Sequence, residues 1–136
     1  ADEVSILSYG ITRRRPEELQ SVMELDDLRQ MIRAVRDQQV ADGLREYIAA
    51  LVRATRAHPD VELGVSPRGG IALVTAAQAY SMAAGRDFVT ADDVKAVVVP
   101  VLNHRLLLTP EARIQQQTAD SVLQDILTTA PVPAGG

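Results

Sequence analysis

Apolar residues fall at steps of three and four along most of this chain, the spacing of a helix face rather than a strand. Leu25, Leu28, Ile32 and Val35 mark one face of a helix expected to end near Asp37 to Val40. Leu44, Ile48 and Leu51, closed by the methyl group of Thr55, form the stripe of a second, with Asp42 as its expected N-cap and His58-Pro59-Asp60 as its break. Ahead of both, Val4, Ile6 and Leu7 predict a short initial helix. A polar stretch from Gly10 to Ser21, carrying Arg13, Arg14, Arg15 and Pro16, reads as an exposed connection. After Ser66 the residues Ile71, Leu73, Val74, Ala76, Ala77, Ala79 and Tyr80 are apolar on more than one side, as expected of the central helix of a bundle.

Gly85 supplies a stop for that helix, and Thr90-Ala91-Asp92-Asp93 opens another in a capping-box pattern, with Asp93 where Glu is more usual. Val89 and Val94 take the hydrophobic-staple positions. Pro100 has no N–H to give Ala96, so this helix is expected to kink or end near Val99, or to resume with Pro100 as a new first residue. Leu106 to Leu108 has the length of a tiny strand that pairs with Val61 to Val65. Ala119, Val122, Leu123, Ile126 and Leu127 line a last amphipathic helix. Residues 131–136, with two prolines and two glycines, read as a flexible tail.

Composition sharpens the fold class. The chain has 136 residues, 46% of them hydrophobic but only 3% aromatic, with one Phe and no Trp. The core must therefore be built from Leu, Val, Ile and Ala, which favours helix on helix. The expected class is all-α, a small helical bundle with at most one two-stranded β pairing. Residues 1–23 are assigned as an N-terminal helix remnant and connecting loop, and 24–130 as the helical domain. The chain opens on Ala-Asp-Glu without an initiator Met, which reads as a cut point inside a larger protein. It carries no signal-like segment and no apolar run long enough to span a bilayer. Zero cysteines exclude disulfides and thiolate chemistry and fit a reducing, cytoplasmic compartment. A net charge of −4 argues against broad nucleic-acid or anionic-membrane binding, which needs many cations, and leaves room for the local capture of one anion.

The segment placed to capture one is Gly64-Val65-Ser66-Pro67-Arg68-Gly69-Gly70. Ser66 reads as N-cap, Pro67 as N1 and Arg68 as N2 of the helix that follows. A helix N-terminus offers unpaired N–H groups and the positive end of the macrodipole, which suits an anion and disfavours a cation. Arg68 therefore stands where helix stability alone would not put it. Its plain alternative is a side chain that is solvated or paired with a nearby carboxylate. Gly69-Gly70 in the first turn lowers helix stability by up to about 1 kcal/mol each against alanine, so the turn is expected to be loose.

Other chemistry finds no foothold. The P-loop pattern is absent and the only lysine, Lys95, lies within a helix, so the chain by itself is not expected to hydrolyse a nucleotide, and no catalytic residue is assigned to it. His58 and His104 have no ligand-like spacing, so no metal is assigned. Asp26-Asp27 and Asp92-Asp93 sit in first turns, where acids serve the dipole. Ser66, Thr75 and Ser81 have no histidine base nearby in sequence. Arg13-Arg14-Arg15 reads as a solvated loop or a contact for an acidic partner, and without aromatic neighbours it makes a poor nucleic-acid site.

Three segments in order, Gly64 to Arg68, Gly85 to Lys95 and Val101-Leu102-Asn103-His104-Arg105-Leu106, closely resemble the C-terminal lid of MoxR-type AAA+ ATPases. Tyr47 to Arg56 and the closing Ile126-Leu127 with Pro131 and Pro133 resemble it too. The resemblance implies a helical lid packed on an α/β nucleotide-binding core that this chain lacks. It implies that Arg68 is the sensor-2 arginine, reaching the γ-phosphate of ATP, with Ser66, Pro67 and Gly69 shaping the turn that carries it and Mg²⁺ held by the core. It further implies coupling of ATP hydrolysis to chaperone-like remodelling, a homo-oligomeric ring that is commonly hexameric, and partner proteins with a von Willebrand factor A domain. Gly69 departs from the family, which more often has Ala there. Arg56 and Arg105 occupy family-like positions, with packing or interdomain contacts as their expected roles. The competing expectation is a non-enzymatic helical interaction module, and a P-loop in the coding sequence upstream of Ala1 would decide against it.

Overall fold

The computed structural model describes residues 2–11 and 19–132. They form two compact units, residues 1–32 and 33–136. The first unit holds α1, Asp2–Ile11, and most of α2, Leu25–Arg36. Both helices form where the apolar spacing predicts them, yet Val4 and Leu7 on α1 and Leu25, Leu28 and Ile32 on α2 remain 43–69% exposed. No residue of α2 is buried. Asp26 and Asp27 open that helix and Arg33 and Arg36 close it, matching the dipole at both ends. The expected arginine loop at 13–15 and residues 133–136 of the expected tail lie outside the described residues.

The second unit runs α3, Asp42–Ala57; β1, Val61–Leu63; α4, Pro67–Ala83; α5, Ala91–Leu102; a 3₁₀ turn, Asn103–Arg105; β2, Leu107–Leu108; α6, Pro110–Ile114; and α7, Ala119–Thr129. It is a helical bundle with one two-stranded antiparallel sheet, in which Val61 faces Leu108 and Leu63 faces Leu107. The Thr109 N–H continues the pairing to the Asp60 carbonyl at 2.9 Å. The core is aliphatic. Leu44, Ile48, Leu51 and Val52 of α3, Leu73 and Ala77 of α4, Val94, Val97, Val98 and Leu102 of α5, and Val122, Leu123 and Ile126 of α7 are all buried. Tyr47 is the one aromatic side chain among the buried residues; its hydroxyl has no hydrogen-bond partner among the described residues, and burial raises its pKa.

Three expectations need correction. The N-cap of α3 is Ala41, in extended conformation with no side-chain cap; Asp42 is the first helical residue, and its carboxylate accepts from Arg45 at 2.9 Å instead. Helix α4 is not enclosed on several sides: its buried residues Gly69, Leu73, Ala77 and Ser81 follow a strict four-residue step, while Ile71 is 69% exposed. These mostly small residues let α5 pack close, and α5 is the more deeply buried of the two. Pro100 does not end α5, which continues to Leu102, because buried Leu102 and half-buried Val101 hold the last turn against the core. Between β2 and α7 the chain also forms the short α6, capped by Thr109 accepting from the Ala112 N–H.

The link from α4 to α5 is where polar groups go inside. Gly85 adopts φ 76° and closes α4, with its own N–H on the Met82 carbonyl and the Arg86 N–H on the Ser81 carbonyl. The Thr90–Asp93 capping box forms as the pattern predicts. Asp93 is 2% exposed, and both its oxygens accept from Arg86, whose guanidinium also lies 5.8 Å from the Phe88 ring centroid. The Arg86 hydrogen bond, with those from Thr90, holds the Asp93 carboxyl down at about 2 against the cost of its burial. An unfolded aspartate titrates near its ordinary 3.8. The unfolded chain therefore binds the extra proton between these values, so this contribution is complete above about pH 4 and is lost as pH falls through 2. Acid titration followed by circular dichroism should show this loss, about 2 kcal/mol, in the parent and not in Asp93→Asn.

Candidate functional site: the start of α4 and the groove beside it

The approach to α4 is set by the end of α3. Thr55 is fully buried, and its hydroxyl donates to the Val52 carbonyl at 2.8 Å and accepts from the Val65 N–H at 3.0 Å. The next residue, Arg56, donates from Nη1 to the Val65 carbonyl at 2.9 Å. Both backbone polar groups of Val65 are thus held by adjacent side chains of α3. Gly64 is required just before it, because a Cβ there would lie 2.6–2.8 Å from the Cγ, Cα and N of Arg56. The Val65 side chain is fully buried.

Ser66 takes the N-cap position in extended conformation, φ −76° and ψ 163°, but its hydroxyl makes no capping bond. The cap works through the main chain, with the Gly69 N–H reaching the Ser66 carbonyl at 2.9 Å. Pro67 follows at N1 and Arg68 at N2. Arg68 is exposed, and among the described residues it has no ion pair and no hydrogen bond. The buried Gly69 has a packing reason: a Cβ there would overlap a Val65 γ-methyl and come within 3.7 Å of Leu102. Arg105, expected to pack or bridge domains, turns back to donate from Nε to the Val101 carbonyl at 3.0 Å, with its Cδ close to the space a Gly69 side chain would need.

Sequence reasoning missed the groove that α3 and α4 form here, about 400 Å³ in volume. Ile48, Ala49 and Val52 line it from α3, Pro67, Gly70, Ile71 and Val74 from α4, and Arg45, Arg53 and Arg56 bring three guanidinium groups. No acidic side chain lines it. Arg45 is paired with Asp42, Arg56 holds Val65, and Arg53 has no partner among the described residues. A signal for this face was present: arginines at 45, 53 and 56 flank the Ile48–Val52 stripe at helical spacing. The chain is acidic overall, so this is a local basic patch on an apolar floor. Pro67 lines the groove, and Arg68, the next residue, stands about 100° further around the helix and outside the lining.

The two histidines and the single lysine lie away from this turn. His58 ends α3, accepts at Nδ1 from the Asp60 N–H at 3.2 Å and faces Asp125 of α7 across 3.3 Å. His104 sits in the 3₁₀ turn. Lys95 pairs with Asp92 at 3.1 Å on the surface of α5. No group of three or more His, Cys, Asp or Glu residues that could hold a metal occurs among the described residues. No described helix is long and apolar enough to cross a membrane.

The model of the AAA lid domain family matches residues 53–126, more than half the chain, and the chain belongs to that family. Its relatives place it with the lid regions of MoxR-family AAA+ ATPases. It is 38% identical over 132 residues to the uncharacterized protein YeaC of Bacillus subtilis, covering 97% of this chain and 41% of YeaC. It is 28% identical over 137 residues to the chaperone MoxR1 of Mycobacterium tuberculosis, covering 94% of this chain and 36% of MoxR1. The fold is shared with a crystal structure assigned as an ATPase from Cytophaga hutchinsonii, with a TM-score of 0.80 and 23% identity over 97% of this chain and 43% of that one. The chain thus spans less than half the length of each of these proteins.

Alanine at the two glycines of the α4 turn should separate packing from propensity. Gly69→Ala meets Val65 in a filled space and is expected to destabilise the fold by about 1–3 kcal/mol. Gly70→Ala meets only a Val52 methyl at 3.3 Å, so the gain in helix propensity, up to about 1 kcal/mol, should leave it neutral or stabilised. Thermal melting of the two variants checks both.

Proposed function

We propose that this chain is the lid of an ATP-hydrolysing AAA+ chaperone, and that Arg68 is its sensor-2 arginine, contributed to an ATP site whose remaining groups belong to an α/β core. The observation that carries this reading is the exposed, unpartnered guanidinium at N2 of α4. A cation there opposes its own helix dipole, by a few tenths of a kcal/mol or more, and an anion bound at the same turn reverses that sign. The Ser66 hydroxyl makes no capping bond, which keeps it from competing with a ligand for this turn, and Gly69 keeps the turn packed on Val65.

Arginine suits the task because its planar fork bridges two phosphate oxygens and stays charged at any working pH. Bound ATP supplies the charge that the lid reads: with the γ-phosphate present Arg68 has a charge-assisted contact, and with it gone the lid is released. Mg²⁺ in this reading belongs to the core. The apolar floor of the groove at the start of α4 fits the base side of the same ligand. A homo-oligomeric ring, commonly hexameric, chaperone-like action on von Willebrand factor A domain proteins and a cytoplasmic setting go with this reading. Kinship with MoxR-family lids supports it.

In the ATPase formed by this lid and its core, Arg68→Ala should lower steady-state turnover about 10- to 100-fold, the loss of one charged hydrogen bond made to the reacting phosphate. Arg68→Lys, which keeps charge without the fork, should fall between. Unchanged turnover and nucleotide affinity in Arg68→Ala would remove this residue from the mechanism.

A further inference from the structure

We propose that Thr55 and Arg56 are positioning residues for Arg68, acting on it through the backbone of Val65; the inference rests on the reading of Arg68 above. Thr55 accepts the Val65 N–H at 3.0 Å and Arg56 donates to the Val65 carbonyl at 2.9 Å, so the peptide planes on both sides of Val65 are tied to α3. From Val65 to Arg68 the chain has no soft joint. Pro67 has a fixed φ, and a residue before proline is confined to extended backbone, as Ser66 is at φ −76° and ψ 163°. The Val65 side chain is wedged against Gly69, directly after Arg68. A shift of Val65 is therefore passed to the first turn of α4 rather than absorbed on the way.

The residue types fit this role better than a packing role. Thr55 is fully buried in an aliphatic core where valine has nearly the same shape, and its hydroxyl has a use there as the acceptor for Val65. Arg56 is an exposed cation with no acidic partner among the described residues, and its guanidinium donates to a main-chain carbonyl.

The test is a double-mutant cycle on ATP turnover by the lid joined to its core, using Thr55→Val, Thr55→Ser and Arg68→Ala. Thr55→Val should lower kcat about tenfold, as small misplacements of a reacting contact do, and Thr55→Ser should restore it. In the Arg68→Ala background, Thr55→Val should change kcat by no more than about twofold, because nothing remains to be positioned. Losses that multiply in the double variant, or a Thr55→Val enzyme with parental kcat, would overturn the proposal. If Thr55→Val does not fold, Arg56→Met, which keeps the stem and removes the donors, completes the same cycle from the surface. Arg68→Ala alone keeps the two ideas apart: parental turnover in that variant refutes the sensor reading itself, whereas a slow Arg68→Ala with multiplying losses refutes only the positioning.

Discussion

The peptide at Val65 is the hinge-pin of this domain. It lies where β1 ends and α4 begins, and the close of α3 holds both its N–H and its carbonyl. Three elements meet at that point, so the direction of α4, the exit of the chain from β1 and the floor of the groove are set together. A buried backbone needs partners for every polar group. Here they come from two adjacent side chains of one helix, which makes the junction stiff rather than merely satisfied. Gly64 follows from the same closeness, since no side chain fits between that residue and Arg56.

The two ends of α4 are secured by different means. At its start the anchoring is to main-chain groups. At its end a left-handed glycine turns the chain, Ser81 and Gln78 reach Gln38, and Arg86 closes on Asp93. Between them runs the stripe Gly69, Leu73, Ala77 and Ser81, narrow enough for the valines of α5 to come close. With hardly any aromatic residues, the bundle gets its density from this closeness rather than from large rings. Arg68 therefore rides on a helix fixed at both ends, as the sensor role proposed for it requires.

Much of this was legible in the sequence because helical spacing and caps are local signals. The stripe of α3, the Gly85 stop, the Thr90–Asp93 box and the Val61–Leu108 pairing all form as their residues predict. What stayed hidden depended on side-chain placement that spacing does not give. Asp42 looked like a cap and is a surface ion-pair partner, because Ala41 already had the extended backbone the position needs. Apolar residues around α4 suggested enclosure, but Ile71 and Val74 line an open groove. Gly69 looked like a loosened turn until Val65 was found filling its space. The use of Thr55 and Arg56 could not be read at all, since their partner lies nine and ten residues away and pattern alone does not say which buried hydroxyl finds an amide.

Helix α2 carries a consequence of another kind. Its twelve residues bury no side chain, and Asp26–Arg29 is a surface pair worth little to helix stability. A helix of that length is marginal in water by its own backbone bonds. Its amides should exchange with solvent through local opening, decoupled from the slow exchange of α3 and α5, and anything that comes to cover Leu25, Leu28 and Ile32 would register first as protection of this one segment.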